Sequence, residues 1–244
     1  MKYLSILSCL VALISASFCF RPAQSNAGPV IIVGGGTIPK AAIDRLIEKK
    51  TRGDIVVISC YEKHREKWRR NIPSSIFSLP EGLPFIPICS VGAVIIEGGD
   101  QWDYIRRLDR RWLQSIHDKG SPILGTSAGS MILGEYYFSA EKDTITSEQA
   151  KQNINVCLGH AFVNIKYLRG KIVDTHFNAR NRRGRLEVFV EKSGAKCGIG
   201  IDESTALYID DNGSELVGDG LVTIITSVES SINAHKSIDI VSKN

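Results

Sequence analysis

The residues of this chain whose types and spacing best suit chemistry begin with a serine between glycines, in the stretch Gly125-Thr-Ser-Ala-Gly129. An apolar lead-in, Pro122 to Leu124, precedes it and a helix-compatible segment follows, which gives the strand, sharp turn and helix of a nucleophile elbow. The glycines leave space around the strained backbone at the tip of such a turn. Ser127 is therefore the candidate nucleophile, and an ordinary strand-to-helix turn with a serine cap is the alternative.

A histidine and a group of arginines form the second candidate set. His176 follows the strand-like run Ile172-Val-Asp174, and the short loop and helix start after it carry four arginines, Arg180, Arg182, Arg183 and Arg185. Guanidinium groups at this density repel one another and are stabilised by carboxylates that accept paired hydrogen bonds. The cluster therefore predicts an acidic substrate. A solvated basic turn and a structural histidine are the alternatives.

Acidic residues that could accompany the histidine occur in two places. Glu203 follows an apolar strand-like run that ends at Ile201. Glu148 lies with other acids in or near a polar loop after the elbow. The residues alone leave both carboxylates open.

A serine, a histidine and an acid so far apart in sequence meet only if the fold brings strand ends together. Continuous apolar runs predict buried strands in the stretches 29–36, 54–60 and 91–101, the first and last of which run into glycines, and segments with helical spacing separate them. Strands that alternate with helices predict an α/β fold with a doubly wound, mostly parallel sheet. The loops after the carboxyl ends of such strands lie along one edge of the sheet.

Glycines at that edge predict backbone donors for a developing negative charge. The N–H groups of Gly98 and Gly99, with that of Ala128, could form an oxyanion hole, and Gln101 could hold a substrate amide. A tight turn capped by Asp100 is the alternative.

A second glycine loop, at 34–36, opens the same edge after the first strand. A dinucleotide-binding fingerprint would need a further glycine where Lys40 stands, so no cofactor is expected. The cysteines at 60, 89, 157 and 197 permit two disulfides, but their spacing has no metal-ligand pattern. We therefore expect no metal site.

The composition is that of a soluble globular protein. Of 244 residues, 43% are hydrophobic and 23% are charged, which excludes a disordered chain and allows one α/β domain with a full core. The formal net charge of +4 is too small to indicate nucleic acid by itself. The charged segment 61–71 predicts a solvated surface helix.

The first residues have the layout of a secretory leader. Lys2 precedes the uncharged apolar run 4–20, and small residues follow up to Ala27. We expect cleavage after Ala27, with a site near Ser17 as the alternative, and a secreted or periplasmic location. A retained membrane anchor through residues 4–20 is the competing interpretation, because about 17 apolar residues is the lower limit for a bilayer span.

Four motifs in order resemble those of the cyanophycinases and their relatives, the aspartyl dipeptidases. They extend over roughly residues 30 to 225, and they are Gly98-Gly-Asp-Gln101, Gly125-Thr-Ser-Ala-Gly129, Asp174-Thr-His-Phe177 with the arginines after it, and Gly200-Ile-Asp-Glu203. The resemblance implies a three-layer α/β fold of the class I glutamine-amidotransferase-like (flavodoxin-like) type. Together with the leader at 1–27, it implies a single serine peptidase domain at 28–244.

The same resemblance implies a triad of serine, histidine and acid. Ser127 would attack and His176 would take and return the proton, with the oxyanion on the amides of Gly99 and Ala128. Glu203 resembles the triad glutamate of the family, whereas Glu148 lies where a motif-based comparison places the acid. Asp174 is a lesser candidate for this role.

The implied substrate is cyanophycin, multi-L-arginyl-poly-L-aspartate, or a related aspartyl or β-aspartyl peptide, cut in exopeptidase mode. Substrate-binding residues would be Gln101, Asp174, Arg180, Arg182 and Arg185. Thr175 departs from the glutamine that cyanophycinases tend to have, which points to a relative of altered specificity.

The sequence leaves other functions open and indicates which partners to expect. An aspartyl-dipeptidase-like enzyme of other specificity and a non-catalytic domain that binds acidic ligands are the alternatives. The expected partner is a peptide or cyanophycin-type substrate. We expect no nucleic acid and no stable membrane association once the leader is removed, and a homodimer is possible.

Overall fold

The structure is a computed structural model that describes residues 27–61, 68–70, 72, 76–78 and 86–226. The expected leader up to residue 26, most of the charged segment 61–71 and the residues after 226 lie outside this range. Within it, no helix combines the length and the apolar character needed to cross a bilayer.

Seven strands form the first sheet, in the order β11-β10-β1-β5-β4-β2-β3. Five of them pair in parallel, and these are β1 (Val30–Val33), β2 (Asp54–Ile58), β3 (Ile76–Ser78), β4 (Val91–Ile96) and β5 (Ile123–Thr126). The other two form an antiparallel hairpin whose first strand also pairs antiparallel with β1, and they are β10 (Thr205–Asp210) and β11 (Gly213–Gly218). The hairpin turn uses the left-handed backbone of Gly213, at φ 140°.

Five strands form the second sheet, in the order β12-β9-β8-β6-β7. They are β6 (Tyr136–Phe138), β7 (Leu158–His160), β8 (Lys171–Asp174), β9 (Cys197–Ile201) and β12 (Val222–Thr226). The chain passes from this sheet back to the first between β9 and β10, so the turn at 202–204 lies where the two sheets meet.

Six α-helices with both ends in the described part of the chain connect these strands, and residues 68–70 are helical as well. The six helices are α1 (Lys40–Lys49), α2 (Gln101–Arg107), α3 (Arg110–Asp118), α4 (Ala128–Met131), α5 (Ser147–Lys151) and α6 (Arg183–Ser193). The predicted α/β class with mostly parallel strand pairing is confirmed. The division of the strands between two sheets was not predicted, because β6 to β9 have the same apolar patterning as strands of a single sheet.

The core lies on both faces of the first sheet, which explains the continuous apolar runs of its strands. Successive side chains of a strand point to opposite faces. Ile31 and Ile95 therefore join one apolar cluster, while Ile32 and Val94 join the other, and all four are fully buried. Each such side chain contributes about 2 to 3 kcal/mol relative to exposure. This packing fixes the strand ends from which the candidate site is built.

Candidate active site

Ser127 occupies a sharp turn between β5 and α4, as the sequence predicts. Its backbone has φ 51° and ψ −118°, a conformation that costs on the order of 1 to 3 kcal/mol for a residue with a side chain. A β-carbon at Gly125 would lie 2.6 Å from the carbonyl carbon of Gly129, and one at Gly129 would lie 2.1 Å from the oxygen of Ile96. Both glycines are therefore required by close backbone approach, and the turn has the geometry of a nucleophile elbow.

His176 lies against this serine. Its Nε2 is 2.8 Å from the Ser127 Oγ, which is hydrogen-bond distance, and the residue is only 8% exposed. The imidazole packs on Gly35, where a β-carbon would lie 2.3 Å from the Cε1 atom of His176. The first glycine loop thus makes room for the histidine ring.

Glu203 completes the chain of side chains. Its Oε1 is 2.5 Å from Nδ1 of His176, on the opposite side of the ring from the serine. Glu148, the alternative acid, lies exposed in the first turn of α5. The structure therefore brings Glu203, and not Glu148, onto the imidazole.

Three consecutive carbonyls at the end of β1 hold these residues in place. The oxygen of Val33 accepts the N–H of Ser127 at 3.0 Å, and that of Gly34 accepts the N–H of His176 at 2.7 Å. The oxygen of Gly35 accepts the N–H of Ser204, the residue after Glu203, at 2.9 Å. The end of one buried strand therefore fixes all three segments.

The environment favours a neutral imidazole. Burial lowers the pKa of His176 below its usual 6.5, and the positive charges of Arg180 and Arg182 lower it further. The hydrogen bond that Glu203 accepts from the ring raises the pKa but does not reverse the shift. A neutral Nε2 that faces a hydroxyl can accept its proton, which is the task of a general base.

The backbone amide of Ala128 follows the serine directly, and the glycine loop after β4 lies beside it. Ala128 is the first residue of α4, and the first amides of a helix have no acceptor within that helix. The loop after β4 runs alongside, since a β-carbon at Gly98 would lie 3.2 Å from the Cβ of Ser127. The next residue, Gly99, packs against the sulfur of Cys60, from which a β-carbon would be 3.1 Å away.

Two of the three arginines predicted to bind substrate face the interior instead. Arg185 is fully buried and donates to both carboxylate oxygens of Asp174, at 2.7 and 2.5 Å. Arg182 is 6% exposed and donates to Asp174 at 3.3 Å and to the carbonyl of Thr175 at 2.8 Å. The structure does not place Asp174, Arg182 and Arg185 on an open surface for substrate, because the one carboxylate holds both guanidinium groups inside the protein. The cluster holds the backbone that leads into His176.

The remaining predicted binding residues stay near the surface. Arg180 is exposed and close enough to His176 to act on its pKa. Gln101 is half-buried at the start of α2, with its amide nitrogen 3.3 Å from the sulfur of Met131. Thr175 is fully buried, and its hydroxyl finds no partner within the described residues.

Sequence reasoning missed two buried polar residues around the elbow. The hydroxyl of Ser130 is bonded to both the N–H and the C=O of Val33, at 2.9 and 2.8 Å. The carboxylate of Glu97, just before the glycine pair, accepts from Ser59 at 2.5 Å and from the indole of Trp68 at 2.6 Å. A charged residue inside an otherwise apolar run was the available signal for Glu97.

The four cysteines of the described chain, at 60, 89, 157 and 197, are all free thiols. The two disulfides that their even number permitted are therefore not formed.

Comparison with known proteins identifies a peptidase family and a fold. The profile of peptidase family S51 matches residues 87–217, more than half of the chain. Cyanophycinase of Synechococcus elongatus is 32% identical over 153 residues, which are 60% of this chain and 45% of that protein. Cyanophycinase of Geminocystis herdmanii is 30% identical over 152 residues, 60% of this chain and 53% of that protein. The chain thus spans about half the length of the curated relatives it matches.

Two solved structures share the fold. A peptidase from an acI-B1 actinobacterium superposes with a TM-score of 0.60 at 19% identity, covering 83% of this chain and 96% of the other. A putative peptidase E of Listeria monocytogenes EGD-e gives 0.51 at 12% identity, with coverage of 80% and 100%. At these identities the likeness concerns the fold alone.

Proposed function

Since this chain belongs to peptidase family S51, a family of serine-type peptidases, we propose that it hydrolyses peptide bonds with Ser127 as nucleophile, His176 as general base and Glu203 as the orienting acid. One observation carries the proposal. The serine Oγ, the two imidazole nitrogens and the glutamate oxygen form a continuous hydrogen-bonded chain, with separations of 2.8 and 2.5 Å. Nothing in the chain needs to move to bring these groups within reach.

The reaction follows from this geometry. Oγ of Ser127 attacks the carbonyl carbon of the scissile bond while its proton passes to Nε2 of His176, and Glu203 stabilises the resulting imidazolium. The amides of Ala128 and Gly99 receive the oxyanion. The imidazolium then gives its proton to the departing amine, and an acyl-serine remains. Water deprotonated by His176 hydrolyses that ester and restores the free serine.

We propose an aspartyl or β-aspartyl peptide, or cyanophycin itself, as the substrate. The relatives that share the family motifs are named cyanophycinases. Arg180 supports a carboxylate-bearing substrate, because its side chain is exposed and its backbone N–H donates to the carbonyl of His176 at 2.9 Å. An aspartyl dipeptidase of other specificity remains the second candidate, favoured by Thr175.

Product analysis tests both parts of the proposal. The purified protein is incubated with cyanophycin and with a panel of aspartyl and β-aspartyl dipeptides, and products are identified by mass spectrometry. Dipeptides released from cyanophycin would support the exopeptidase mode. A folded protein that cleaves none of these compounds contradicts the proposed substrate class. The Ser127→Ala variant serves as the control, with an unchanged melting temperature and a loss of activity on the order of 10⁴-fold or more.

The proposal extends to export of the protein. Residues 1–27 would direct secretion and be removed, which leaves the peptidase domain at 28–244. Sequencing the N-terminus of protein recovered from the periplasm or the medium tests this. Protein that stays in the membrane with residues 4–20 attached would instead support the anchor.

A further inference from the structure

A groove of about 490 Å³ lies beside α2 and α3, apart from the candidate triad. One wall is apolar and consists of Ile105, Leu108 and Phe162. The polar part of its lining includes Arg110, Arg111 and Tyr137. A groove that pairs apolar walls with a few convergent polar groups is the common form of a ligand site.

The two arginines of the groove carry charge that the protein does not neutralise. Arg106 and Arg107, on the preceding helix, both approach the carboxylate of Asp103, at 2.7 and 3.6 Å. Arg110 and Arg111 are exposed, and their guanidinium groups form no ion pair within the residues that the structure describes.

The nearest acid of the groove is already committed elsewhere. Asp109 caps α3 and accepts the backbone N–H groups of Arg111 and Trp112, at 2.8 and 3.2 Å. This carboxylate stabilises the helix start and faces its amides. The groove therefore keeps a local excess of positive charge.

Tyr137 also lines this groove. The residue is only 9% exposed, its ring packs edge-on against Phe162 at 6.4 Å, and no described residue forms a hydrogen bond with its hydroxyl. The hydroxyl oxygen itself is accessible to solvent, and so to a ligand. Burial raises the pKa of Tyr137, and the charge of Arg110, which lines the same groove, opposes this rise. Two guanidinium groups and a phenol thus offer donors to one anion.

The position of the groove relates it to the candidate active site. Gln101 begins α2 just after the glycine loop that lies beside Ser127, Ile105 follows on this helix, and Leu108 lies just past its end. A helix rises about 1.5 Å per residue, so the groove extends from roughly 6 Å to roughly 10 Å from Gln101 along the helix axis. An extended peptide covers that distance in about three residues.

We propose that this groove is a second binding site for the peptide substrate, in which Arg110, Arg111 and Tyr137 hold a side-chain or terminal carboxylate about three or four residues from the scissile bond. The apolar wall receives the methylene groups or the neighbouring side chain of the same residue. The assignment of the occupant as substrate rests on the proposed peptidase function. The chemistry of the site, an acidic peptide segment, rests on the groove itself.

Binding to the Ser127→Ala protein tests the site without catalysis. The probe is a fluorescein-labelled hexa-aspartate peptide, followed by anisotropy at 0.15 M salt. Arg110→Gln with Arg111→Gln should weaken binding about tenfold or more, because each lost charge-assisted hydrogen bond is of that order. The matched control is Arg106→Gln with Arg107→Gln, which removes the same charge from paired arginines and should change the affinity less than about twofold. Tyr137→Phe should weaken binding by a smaller factor.

Equal losses in the two double variants would overturn the proposal, since they would indicate only general attraction to positive charge. Equal affinity for a single-stranded oligonucleotide of the same charge would overturn it as well, because the site would then not be one for acidic peptides.

Kinetics separate this inference from the proposed function. Peptides of two and of six residues that share the same scissile bond are compared. The six-residue peptides carry either Asp or Asn at the fourth position. The wild type should have a higher kcat/KM on the long Asp peptide, and the Arg110 and Arg111 variant should lose only that gain. A wild type that cleaves no peptide contradicts the proposed function, and the binding measurement then still decides the groove. If the wild type cleaves the peptides and the variant has the same kcat/KM on every one of them, the inference is contradicted.

Discussion

Ser127, His176 and Ser204 all have positive φ values, of 51°, 49° and 55°. Residues that carry a side chain rarely adopt this backbone conformation, and it persists where surrounding contacts impose it. The three residues are those held by the end of β1, and they include or adjoin every member of the candidate triad. At the scale of single residues, strain and chemistry therefore coincide.

Replacing the two candidate acids tests which of them serves His176. Glu203→Gln removes the charge that stabilises the imidazolium and should lower kcat/KM on the order of 10⁴-fold, by analogy with the loss of a triad carboxylate. Glu148→Gln, exposed on α5, should leave kcat/KM within about twofold. The reverse order of effects would mean that the acid is Glu148. Melting temperatures of both variants show whether folding is preserved.

The acid limb of the activity profile reports on the histidine. Burial and the nearby arginines lower the pKa of His176, so kcat/KM should fall only below pH 6.5. Arg180→Gln removes one of these positive charges and should move the limb to higher pH. Arg106→Gln, on α2, is the matched loss of an exposed arginine and should leave the limb in place. A limb midpoint above 6.5 in the wild type would contradict the buried environment of the ring.

The candidate triad could be predicted from the sequence, but which of the arginines are buried could not. Gly125 and Gly129 predict the elbow because they act within five residues of chain. Arg180 and Arg185 have the same residue type and lie five positions apart, yet one is exposed and the other is fully buried. Burial depends on α6 packing against β8, a tertiary contact that no local pattern encodes. The sequence also contains Asp174, but not which arginines it binds.

At the scale of elements, the ion cluster of Asp174 links β8 to α6. Its carboxylate accepts hydrogen bonds from Arg182 and Arg185 at the start of that helix. The Nη1 of Arg185 also donates to the carbonyl of Ile145 at 3.0 Å. The guanidinium of Arg185 also lies 5.6 Å from the ring centres of Phe138 and Phe189. The loop that carries His176 is therefore fixed at both of its ends.

Removing the carboxylate should show how much this cluster contributes to the free energy of unfolding. Asp174→Asn leaves two buried guanidinium groups without their counter-charge and should destabilise the protein by about 3 to 5 kcal/mol, measured by urea unfolding. Asp103→Asn, the control, breaks an exposed pair and should cost less than about 1 kcal/mol. Similar costs for both would mean that Arg182 and Arg185 reach water.

The division of the strands between two sheets could not be predicted from the sequence. Alternating strands and helices correctly indicate the α/β class, and the turn 210–213 correctly indicates the hairpin. The sheet to which each strand belongs depends on which neighbours it pairs with. β9 is an uncharged and mostly buried strand like β1, yet it pairs with β8 and β12. Sequence patterns describe the strand and not its neighbour.

For the molecule as a whole, one buried residue links stability to pH. His117 on α3 is 1% exposed, neither ring nitrogen has a hydrogen-bond partner within the described residues, and burial lowers its pKa from 6.5 to about 4. The unfolded chain therefore binds a proton more readily than the folded one. Stability is fully present above pH 6.5 and is lost as the pH falls towards 4.

The size of this loss can be measured by unfolding between pH 7.5 and 4.5. A shift from 6.5 to about 4 corresponds to about 3 kcal/mol when fully expressed. His117→Leu removes this contribution and should flatten the dependence, whereas His160→Gln, at the exposed edge strand β7, should leave it steep. An equally steep dependence in the His117 variant would assign the loss to other groups, with His176 the first to consider.

The end of β1 supplies no catalytic side chain, yet its carbonyls of Val33, Gly34 and Gly35 bind the amides of residues 127, 176 and 204. The strand is made early, and the last of its three partners follows about 170 residues later in the chain. A ribosome must therefore complete most of the protein before the site can close. An N-terminal fragment that stops short of residue 204 lacks one of these three contacts.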